Sequence, residues 1–321
     1  MAHILVTGGG GFIGSNLTEA LLKRGDTVRV LDNFSTGKKA NLEFPGLDKL
    51  AVSRLEILEG DMVDREICRE AVQDIDYVLH QAAIPSVPRS IAKPIESNDA
   101  NINGTLNLLV EARDAGIKRI VYASSSSIYG NTPTLPKVET ITPNPLSPYA
   151  VQKLAAEHYF RIFYEIYGLE TVSLRYFNVF GPRQDPNSEY SAVIPKFIKA
   201  LLTGHRPTVF GNGEQSRDFT YVDNVVHGNL LALEAGKAVG RVMNLACGGR
   251  LTINALLGIL QKTIGTDIEP IYMEPRPGDI RHSHADISLA EELLGYKMQV
   301  STEEGLAKTV DYFKRVFLTI S

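Results

Sequence analysis

The sequence predicts an α/β fold, a doubly wound parallel sheet with a smaller C-terminal α/β domain. Three observations predict it. Short apolar runs alternate with helical segments through the first half of the chain, which is typical of βαβ units. Glycines recur at positions 8, 11 and 14, between the first apolar run and the first helix. After Asn178 the elements become shorter and Pro and Gly become denser, which indicates a second unit.

The predicted elements alternate regularly. Apolar runs predict the strands Ala2–Val6, Thr27–Leu31, Arg54–Gly60, Asp76–His80, Arg119–Ser124 and Glu170–Tyr176. Helical periodicity predicts the helices Phe12–Arg24, Arg65–Val72, Ile95–Ala115 and Pro148–Tyr167. We expect residues 1–178 to form the sheet domain, with a return of the chain to it around 221–248. Residues 179–220 and 249–321 would then form the second domain.

The turn after the first strand resembles a phosphate-binding loop. The turn has the sequence Thr7-Gly8-Gly9-Gly10-Gly11-Phe12-Ile13-Gly14. Side chains at positions 8, 11 and 14 would prevent a diphosphate from approaching the backbone, or the helix from packing against the strand. The helix Phe12–Arg24 directs free N–H groups and its positive dipole end at the phosphates. The second strand leads into Asp32, where a carboxylate can bind the adenosine ribose and repel a 2′-phosphate. The pattern therefore predicts a Rossmann domain that binds NAD rather than NADP.

Composition and charge argue against several classes of protein. The chain has 321 residues, of which 44% are hydrophobic, and this is enough for a sizeable core. Its net charge of −4 offers no basic surface for nucleic acid. The two cysteines fit a reducing cytosol, and no apolar stretch approaches the roughly 20 residues of a membrane span. Because the N-terminus enters the first strand at once, without a signal-peptide pattern, we expect a cytoplasmic protein with no membrane partner.

The helix Pro148–Tyr167 carries a second chemical signal. Ser147 is a good N-cap and Pro148 suits the first helical position, so Tyr149 lies in the first turn. Lys153 follows one turn later on the same face. A neighbouring ammonium group favours the phenolate, so we expect the pKa of Tyr149 to be lowered toward working pH. The pair predicts a tyrosine acid/base, and the alternative is an ordinary surface Tyr/Lys pair.

Four consecutive serines, at positions 124–127, stand at the end of the predicted strand Arg119–Ser124. A serine run is poorly suited to a core or to a helix. At the carboxyl end of a central strand it offers hydroxyl groups to a hydroxylated ligand. The alternative interpretation is a polar turn without a ligand.

Taken together, these motifs resemble the extended short-chain dehydrogenase/reductase family. The shared features are Thr-Gly-x-x-Gly-x-x-Gly, a serine at a strand end and Tyr-x-x-x-Lys. Within that family the chain is similar to the UDP-hexose 4-epimerases, and most similar to the branch that acts on UDP-N-acetylglucosamine. Further segments that carry the resemblance are Leu31–Gly37, His80–Ala83, Leu174–Gly181, Ser216–Asp223 and Arg276–Ser283.

The resemblance implies roles for individual residues. The implied catalytic residues are Ser125, Tyr149 and Lys153, and no metal is expected. Contacts with NAD are implied for Gly8, Gly11, Phe12, Ile13, Gly14, Asp32, Asn33, Ser35, Thr36, Gly37, Asp61, Met62, Gln81, Ala82, Ala83, Tyr149, Lys153 and Tyr176. Contacts with the substrate are implied for Ser86, Ser125, Ser126, Ser127, Tyr149, Asn178, Arg217, Arg276, Asp279 and Ser283.

The activity that the resemblance implies is NAD-dependent epimerisation of UDP-sugars at C4, through a 4-keto intermediate. The expected substrates are UDP-GlcNAc and UDP-GalNAc, together with UDP-Glc and UDP-Gal. Relatives restricted to the plain hexoses tend to carry a tyrosine where this chain has Ser283. A serine leaves room for a 2-acetamido group, and Ser126 and Ser127 supply hydroxyl groups that could bind the amide.

Other interpretations stay open. A UDP-glucuronate 4-epimerase or decarboxylase needs a cation at the C6 carboxylate, and Arg89 or Arg281 could supply it. A nucleotide-sugar 4,6-dehydratase needs acidic residues where Ser126 and Ser127 stand, which argues against that activity. A non-catalytic NAD-binding sensor or scaffold usually lacks the tyrosine or the lysine, and both are present here.

The resemblance also implies a homodimer, because related enzymes pair two helices of each subunit in a four-helix interface. The corresponding helices here are Ile95–Ala115 and Pro148–Tyr167. We expect their apolar residues to form the interface, namely Leu106, Leu109, Val110, Leu154, Phe160, Phe163, Tyr164 and Tyr167. The alternative is that these residues face only the sheet.

Overall fold

A seven-stranded sheet organises the chain. The computed structural model describes residues 1–186, 192–275 and 281–318. The strands are β1 (His3–Thr7), β2 (Thr27–Asp32), β3 (Leu55–Glu59), β4 (Tyr77–His80), β5 (Arg119–Ser125), β6 (Glu170–Tyr176), β7 (Val179–Phe180), β8 (Thr208–Phe210), β9 (Ser216–Arg217), β10 (Thr220–Tyr221), β11 (Arg241–Leu245), β12 (Leu251–Thr252) and β13 (Ile271–Met273). The helices are α1 (Phe12–Arg24), α2 (Lys49–Val52), α3 (Arg65–Ala71), α4 (Val87–Ala92), α5 (Pro94–Asn98), α6 (Gly104–Asp114), α7 (Pro148–Tyr167), α8 (Val193–Leu202), α9 (Val222–Glu234), α10 (Ile253–Ile264), α11 (Ser288–Leu294) and α12 (Thr302–Leu318).

The order of strands across the large sheet is β3–β2–β1–β4–β5–β6–β11, and every neighbouring pair is parallel. The strand order reverses between β1 and β4, and ligands bind at such a switch point, beyond the carboxyl ends of the strands. Strand β5 extends to Ser125, one residue beyond the predicted end. The predicted doubly wound α/β fold is confirmed.

Helices cover both faces of the sheet, because the strands of a parallel sheet bury both of their faces. On one face, Leu17 of α1 and Leu233 of α9 belong to the same apolar core as Val30 of β2. On the other face, Leu108 of α6 and Phe160 of α7 belong to a second core. The two cores hold the sheet between helical layers and leave its carboxyl edge for a ligand.

The predicted helix Ile95–Ala115 is divided in the structure. Helices α5 and α6 are joined by a π-helical segment, Asp99–Asn103. Inside this segment, Asn101 Oδ1 accepts a hydrogen bond from Ile84 N at 2.7 Å, and Asn101 Nδ2 donates to Gln152 Oε1 at 2.8 Å. The wider turn therefore ties the loop after β4 to α7, and π-helical turns are frequent at functional sites.

The rest of the chain builds smaller sheets outside the large one. The pairs β7–β10 and β8–β13 are parallel, and β9–β12 is antiparallel. Helices α8, α10 and α12 form a separate core that includes Phe197, Leu256 and Phe313. Between these elements the chain comes back to the large sheet, where β11 pairs with β6. None of the described helices is long and apolar enough to cross a membrane.

The structure corrects part of the expected dimer interface. Phe160 and Leu109 are completely buried and Phe163 is 5% exposed, and all three pack in the core beneath the sheet. Their assignment to an interface was wrong, because they lie on the faces of α6 and α7 that meet the strands. Tyr164 and Tyr167 are exposed. Leu106, Val110 and Leu154 are partly buried against the cores.

Candidate active site

The turn between β1 and α1 has the geometry of a phosphate cradle. Gly8 has a φ of +68°, and a Cβ at this position would lie 2.7 Å from the Cα atom of Ala82. A Cβ on Gly14 would lie 2.2 Å from the carbonyl oxygen of Gly8. Only glycine fits these positions, and α1 begins at Phe12, directly after the turn. The unpaired N–H groups of its first turn are suited to an anion.

Asp32, at the end of β2, holds the glycine turn from the side. Its Oδ2 accepts a hydrogen bond from Gly10 N at 2.8 Å, and its Oδ1 accepts one from Phe34 N at 2.7 Å. Burial raises the pKa of Asp32, and these two hydrogen bonds act in the opposite direction. Next to it, Asn33 donates to Asp61 Oδ2 at 2.7 Å. Asp32 therefore shapes the turn as well as lining the cavity, which the sequence did not indicate.

A cavity of about 1320 Å³ lies at the carboxyl edge of the sheet. It is lined by residues that follow or end the strands β1 to β6. Every residue predicted to contact NAD lines this one cavity, namely Gly8, Gly11, Phe12, Ile13, Gly14, Asp32, Asn33, Ser35, Thr36, Gly37, Asp61, Met62, Gln81, Ala82, Ala83, Tyr149, Lys153 and Tyr176. A second cavity, of about 260 Å³, adjoins it, and Asn178, Val179 and Ala192 line both.

Tyr149 enters the large cavity from the first turn of α7. The Ser147 hydroxyl caps the helix by accepting a hydrogen bond from Ala150 N at 3.2 Å. The Ser90 hydroxyl accepts one from Tyr149 N at 3.1 Å. Helix α4, which carries Ser90, therefore helps to fix the backbone from which Tyr149 projects.

Ser125, Tyr149 and Lys153 come together in the cavity. The Tyr149 hydroxyl is hydrogen-bonded to Ser125. Lys153 Nζ donates to the carbonyl oxygen of Ala123 at 2.8 Å and lies 5.9 Å from the centre of the Tyr149 ring. The arrangement unites a hydroxyl group, a phenol and an amine, and it can transfer a proton to or from a hydroxylated ligand.

The protein environment opposes the charged forms of both Tyr149 and Lys153. Burial raises the pKa of Tyr149 to about 12, although the hydrogen bond with Ser125 lowers it in part. Burial lowers the pKa of Lys153 to about 7, although the Glu157 carboxylate acts in the opposite direction. We expected Lys153 to lower the pKa of Tyr149. In the protein without ligands, the pKa of Tyr149 is instead raised. For both groups the effect of burial is larger than the opposing effects of their neighbours.

His80 lies beneath this site but has a structural role. Its Nδ1 is 2.7 Å from the Thr7 hydroxyl, and its Nε2 is 3.0 Å from the Thr105 hydroxyl. Burial lowers the pKa of His80 to about 3, and the nearby Lys153 lowers it further. A ring that is neutral and bonded at both nitrogens is not available as an acid or a base.

The residues predicted to bind the sugar end are placed unequally. Asn178 lines both cavities, and its Nδ2 donates to the Asp218 carbonyl oxygen at 3.1 Å and lies 3.5 Å from Ser283 Oγ. Arg217 lines the smaller cavity, where its Nη1 donates to the Ser216 carbonyl oxygen at 3.0 Å. The structure thus brings Asn178 and Arg217 to the smaller cavity, whereas Ser283 lines neither cavity and only contacts Asn178.

The other predicted substrate residues either do not line the cavities or lie outside the residues that the structure describes. Ser86 caps α4 by accepting a hydrogen bond from Arg89 N at 3.1 Å, and it does not line either cavity. Ser126 and Ser127 follow Ser125 without lining a cavity, and the buried Ser127 Oγ has no hydrogen-bond partner among the described residues. Arg276 and Asp279 lie outside the described residues.

The sequence did not indicate two groups of residues at the site. Asn229 of α9 lines neither cavity but supports two residues that do: it binds the Tyr176 hydroxyl at 2.7 Å through its Nδ2 and accepts a hydrogen bond from Gln81 Nε2 at 3.3 Å. Arg183 and Asp185, which follow β7, line the large cavity. No local motif marks either group, because their places depend on contacts between distant parts of the chain.

The sequence matches the NAD dependent epimerase/dehydratase family over residues 4–246. The chain belongs to that family. The match covers both the glycine turn and the Tyr149–Lys153 helix. It confirms the resemblance inferred from the motifs.

The family members most useful for comparison are similar along their whole length. A putative UDP-glucose 4-epimerase from Methanocaldococcus jannaschii is 37% identical over 97% of this chain and 98% of its own. The solved UDP-N-acetylglucosamine 4-epimerase of Methanobrevibacter ruminantium, in complex with UDP-N-acetylmuramic acid, is 43% identical, with a TM-score of 0.93 over 98% of this chain and 99% of its own. The UDP-glucuronic acid 4-epimerase of Bacillus cereus, with UDP-glucuronic acid and NAD, is 35% identical, with a TM-score of 0.89 and the same coverage.

The residues of the cavity fit NAD, the cofactor of this family. The glycine turn provides the approach that a diphosphate needs, since a Cβ on Gly14 would fill it. Asp32 stands at the end of β2, where the adenosine ribose binds in such folds. The prediction of NAD as the cofactor is confirmed by the family and by the NAD in the B. cereus structure.

Proposed function

We propose that this chain inverts the C4 carbinol of UDP-sugars and interconverts UDP-GlcNAc and UDP-GalNAc, together with UDP-Glc and UDP-Gal. The observation that carries the proposal is the convergence of Ser125, Tyr149 and Lys153 in the large cavity, next to Asn178, which this cavity shares with the smaller one. The first three residues suit proton transfer at a sugar hydroxyl. The adjoining cavity suits the nucleotide to which the sugar is attached.

In the proposed reaction, Tyr149 as phenolate takes the proton of the sugar 4-hydroxyl, and Ser125 holds the same oxygen by a hydrogen bond. NAD, when bound, accepts the hydride from C4 and later returns it. The 4-keto sugar then turns about its bond to the diphosphate and presents its other face. Return of hydride and proton from the same side of the cavity gives the inverted carbinol. No net oxidation occurs, so atoms and electrons balance without a second substrate.

The smaller cavity supports binding of the UDP end. Its wall combines apolar side chains, including Phe219 and Ile194, with the guanidinium of Arg217. A planar base packs well against apolar walls, and a guanidinium group matches the oxygens of a diphosphate. We assign the nucleotide to this cavity and the diphosphate to its Arg217 side.

The preference for an acetylated sugar rests on Ser283. Its hydroxyl lies 3.5 Å from Asn178 Nδ2, and Asn178 lines both cavities, although Ser283 itself lines neither. A small residue here leaves volume that a tyrosine would occupy. We assign this volume to the 2-acetamido group.

Two observations count against the alternatives. The cation that a UDP-glucuronate enzyme would use is already paired, since Arg89 forms an ion pair with Glu96, which also binds Lys93. Arg281 is exposed. A non-catalytic sensor does not need the convergence of Ser125, Tyr149 and Lys153 in a buried site.

We also propose that the protein is a homodimer that pairs the outer faces of α5, α6 and α7. The apolar side chains exposed on these helices are Ile95, Val151, Tyr164, Ile166 and Tyr167, which are 77%, 50%, 38%, 65% and 50% exposed. Helices α5 and α7 pack together, and Ile95 also lines the edge of the large cavity. Exposed apolar surface of this kind is suited to a protein partner.

The decisive experiment incubates the purified protein with UDP-GlcNAc, UDP-GalNAc, UDP-Glc, UDP-Gal and UDP-glucuronate, each without added cofactor. The products are separated by chromatography and identified by NMR. Interconversion of the acetylated pair supports the proposal. Conversion of UDP-glucuronate alone, or release of carbon dioxide, would replace it with the alternative activity.

A further inference from the structure

A third residue of α7, Glu157, continues the row begun by Tyr149 and Lys153. The three residues are spaced one helical turn apart, so their side chains share one face of the helix. Glu157 lines neither cavity and has no part in the proposed chemistry. All three nevertheless contact consecutive residues of β5: Tyr149 contacts Ser125, Lys153 contacts the Ala123 carbonyl oxygen at 2.8 Å, and Glu157 Oε1 accepts a hydrogen bond from the Ser124 hydroxyl at 2.5 Å.

Glu157 is held in a buried ion pair with Arg175 of β6. The two side chains are 4% and 6% exposed. Arg175 Nε donates to Glu157 Oε1 at 2.9 Å, and Arg175 Nη2 donates to Oε2 at 2.8 Å, so the pair is bidentate. The remaining nitrogen, Nη1, donates to the Tyr129 hydroxyl at 2.8 Å. Burying two charges costs free energy, and a buried ion pair stabilises a fold only weakly. We therefore infer that the buried Glu157 carboxylate has a chemical role.

The charges around Lys153 indicate what that role is. Its Nζ lies 4.8 Å from the centre of the Tyr122 ring and 5.9 Å from that of Tyr149, and both side chains are neutral while protonated. His80, on the neighbouring strand, is neutral as well. Burial lowers the pKa of Lys153 to about 7, and among the described residues Glu157 is the charged group whose effect opposes this. The Glu157 carboxylate is thus the anion that supports the ammonium form.

Arg175 does not cancel this effect at Lys153. It approaches Glu157 from β6, whereas Lys153 is on the same helix as Glu157. The charged and titratable groups that face the Glu157–Arg175 pair are Lys153 from α7, Tyr122 from β5, and Tyr129 and Glu139 from the segment after β5. Of the two charges in this pair, the one that acts on Lys153 is the Glu157 carboxylate.

We propose that Glu157 is a positioning residue whose negative charge keeps Lys153 protonated and thereby keeps Tyr149 reactive. This inference rests on the proposed function, in which Tyr149 exchanges the proton of the sugar hydroxyl. The proposed role requires the negative charge of Glu157 and not only the shape and hydrogen bonds of its side chain. Glutamine keeps the shape and can still accept the Ser124 hydrogen bond, whereas aspartate keeps the charge.

The first test compares the pH–rate profiles of Glu157→Gln and Glu157→Asp. Without the carboxylate Lys153 loses its proton at lower pH, so the alkaline limb of the Gln variant, which follows loss of the ammonium, should move to lower pH by about one unit, and the maximal rate should fall. The Asp variant should keep the wild-type position even if its rate falls. A Gln variant that is slower at every pH but has an unmoved profile would show that Glu157 is only structural.

The second test measures Lys153 directly, without NAD or substrate. Protein with ¹³C-labelled lysine is titrated by NMR, and the Lys153 signal is assigned by its loss in Lys153→Met. The titration midpoint should fall in Glu157→Gln and stay in place in Glu157→Asp. If Glu157→Gln is insoluble because it leaves Arg175 unpaired, Glu157→Gln/Arg175→Gln removes both charges and should still lower the midpoint.

The two proposals can fail separately. An unchanged Lys153 midpoint in the Gln and double-Gln variants overturns the role of Glu157, whatever the enzyme's substrate. A shifted midpoint in a protein whose wild-type form converts no UDP-sugar overturns the proposed function and leaves the electrostatic link between Glu157 and Lys153 in place.

Discussion

The side-chain nitrogen of Lys153 lies 5.9 Å from the centre of the Tyr149 ring, and both side chains are buried. Charges at this separation interact much more strongly in a protein interior than in water. Each group alone is disfavoured in its ionised form, but phenolate and ammonium together stabilise each other. In the proposed reaction the reactive form is therefore a shared state of the two residues, and the first two predictions follow from it.

We expect Tyr149→Phe to lose nearly all turnover while still binding UDP-sugar. General acid/base catalysis contributes about 10²–10⁴-fold, and phenylalanine keeps the ring but has no proton to exchange. Turnover is measured by product chromatography and binding by calorimetry with UDP. A variant that kept half of the wild-type rate would show that another group is the base.

Lys153→Met should lower the rate and move the acidic limb of the pH–rate profile to higher pH. Burial already raises the pKa of Tyr149 to about 12, and removal of the neighbouring ammonium removes an attraction that favours the phenolate. The phenol then loses its proton only at still higher pH, so activity appears later as pH rises. Lys153→Arg, which keeps a positive charge, is the control and should retain the wild-type limb. A Met variant with an unmoved limb would contradict the electrostatic role.

NAD should co-purify with the protein, and epimerisation should need no added nicotinamide. The reaction is redox-neutral, and Asp32 disfavours a 2′-phosphate at the ribose. Denatured samples of purified protein are analysed for NAD and NADP by chromatography. Asp32→Ala should lose the bound NAD, since this carboxylate also holds Gly10 N at 2.8 Å and thus the glycine turn. Net turnover that depends strictly on NADP would rule out the proposed reaction.

Ser283→Tyr should suppress turnover of UDP-GlcNAc and UDP-GalNAc while sparing UDP-Glc and UDP-Gal. The new ring would occupy the space next to Asn178, whose Nδ2 is 3.5 Å from the serine hydroxyl. The ratio of kcat/KM values for the acetylated and plain pairs is the measurement. Ser283→Ala, which stays small, is the matched control and should retain the wild-type ratio. An unchanged ratio in the Tyr variant would show that Ser283 does not select the sugar.

Val151→Glu should convert the proposed dimer into a monomer. Val151 is 50% exposed on α7, and a carboxylate there would lose its hydration in an apolar interface. Sedimentation velocity at micromolar concentration gives the mass of each variant. Leu50→Glu is the control, since Leu50 is 70% exposed on α2, outside the proposed interface, and should leave the mass unchanged. A wild-type protein that sediments as a monomer would contradict the proposal.

The parts of the fold that depend on local patterns were predicted closely. The bounds of α1 and α7 are those expected, because a glycine turn or a Ser-Pro start and a terminal glycine mark each helix within a few residues. The same patterns located Gly14 and Tyr149. The meeting of residues at the carboxyl edge of the sheet could also be predicted, because parallel strands bring their carboxyl ends together.

What could not be predicted depends on contacts between distant segments. Asn229 lies in α9 with no motif around it, and its hydrogen bond to Tyr176 exists only because α9 packs on the sheet. Phe160 and Phe163 show why helical faces were misassigned. Periodicity reveals that α7 is apolar on more than one side, but it does not say which side meets the strands.

The last strand of the large sheet, β11, comes from a segment far along the chain. Strand β6 ends at Tyr176, and its neighbour β11 begins only at Arg241. A nascent chain that has just released β6 from the ribosome therefore carries an open sheet edge, and such edges invite pairing with other chains. Completion of the large sheet during synthesis must wait for residues that lie beyond α8 and α9. Truncation after β6 should for this reason yield an aggregating fragment rather than a stable small domain.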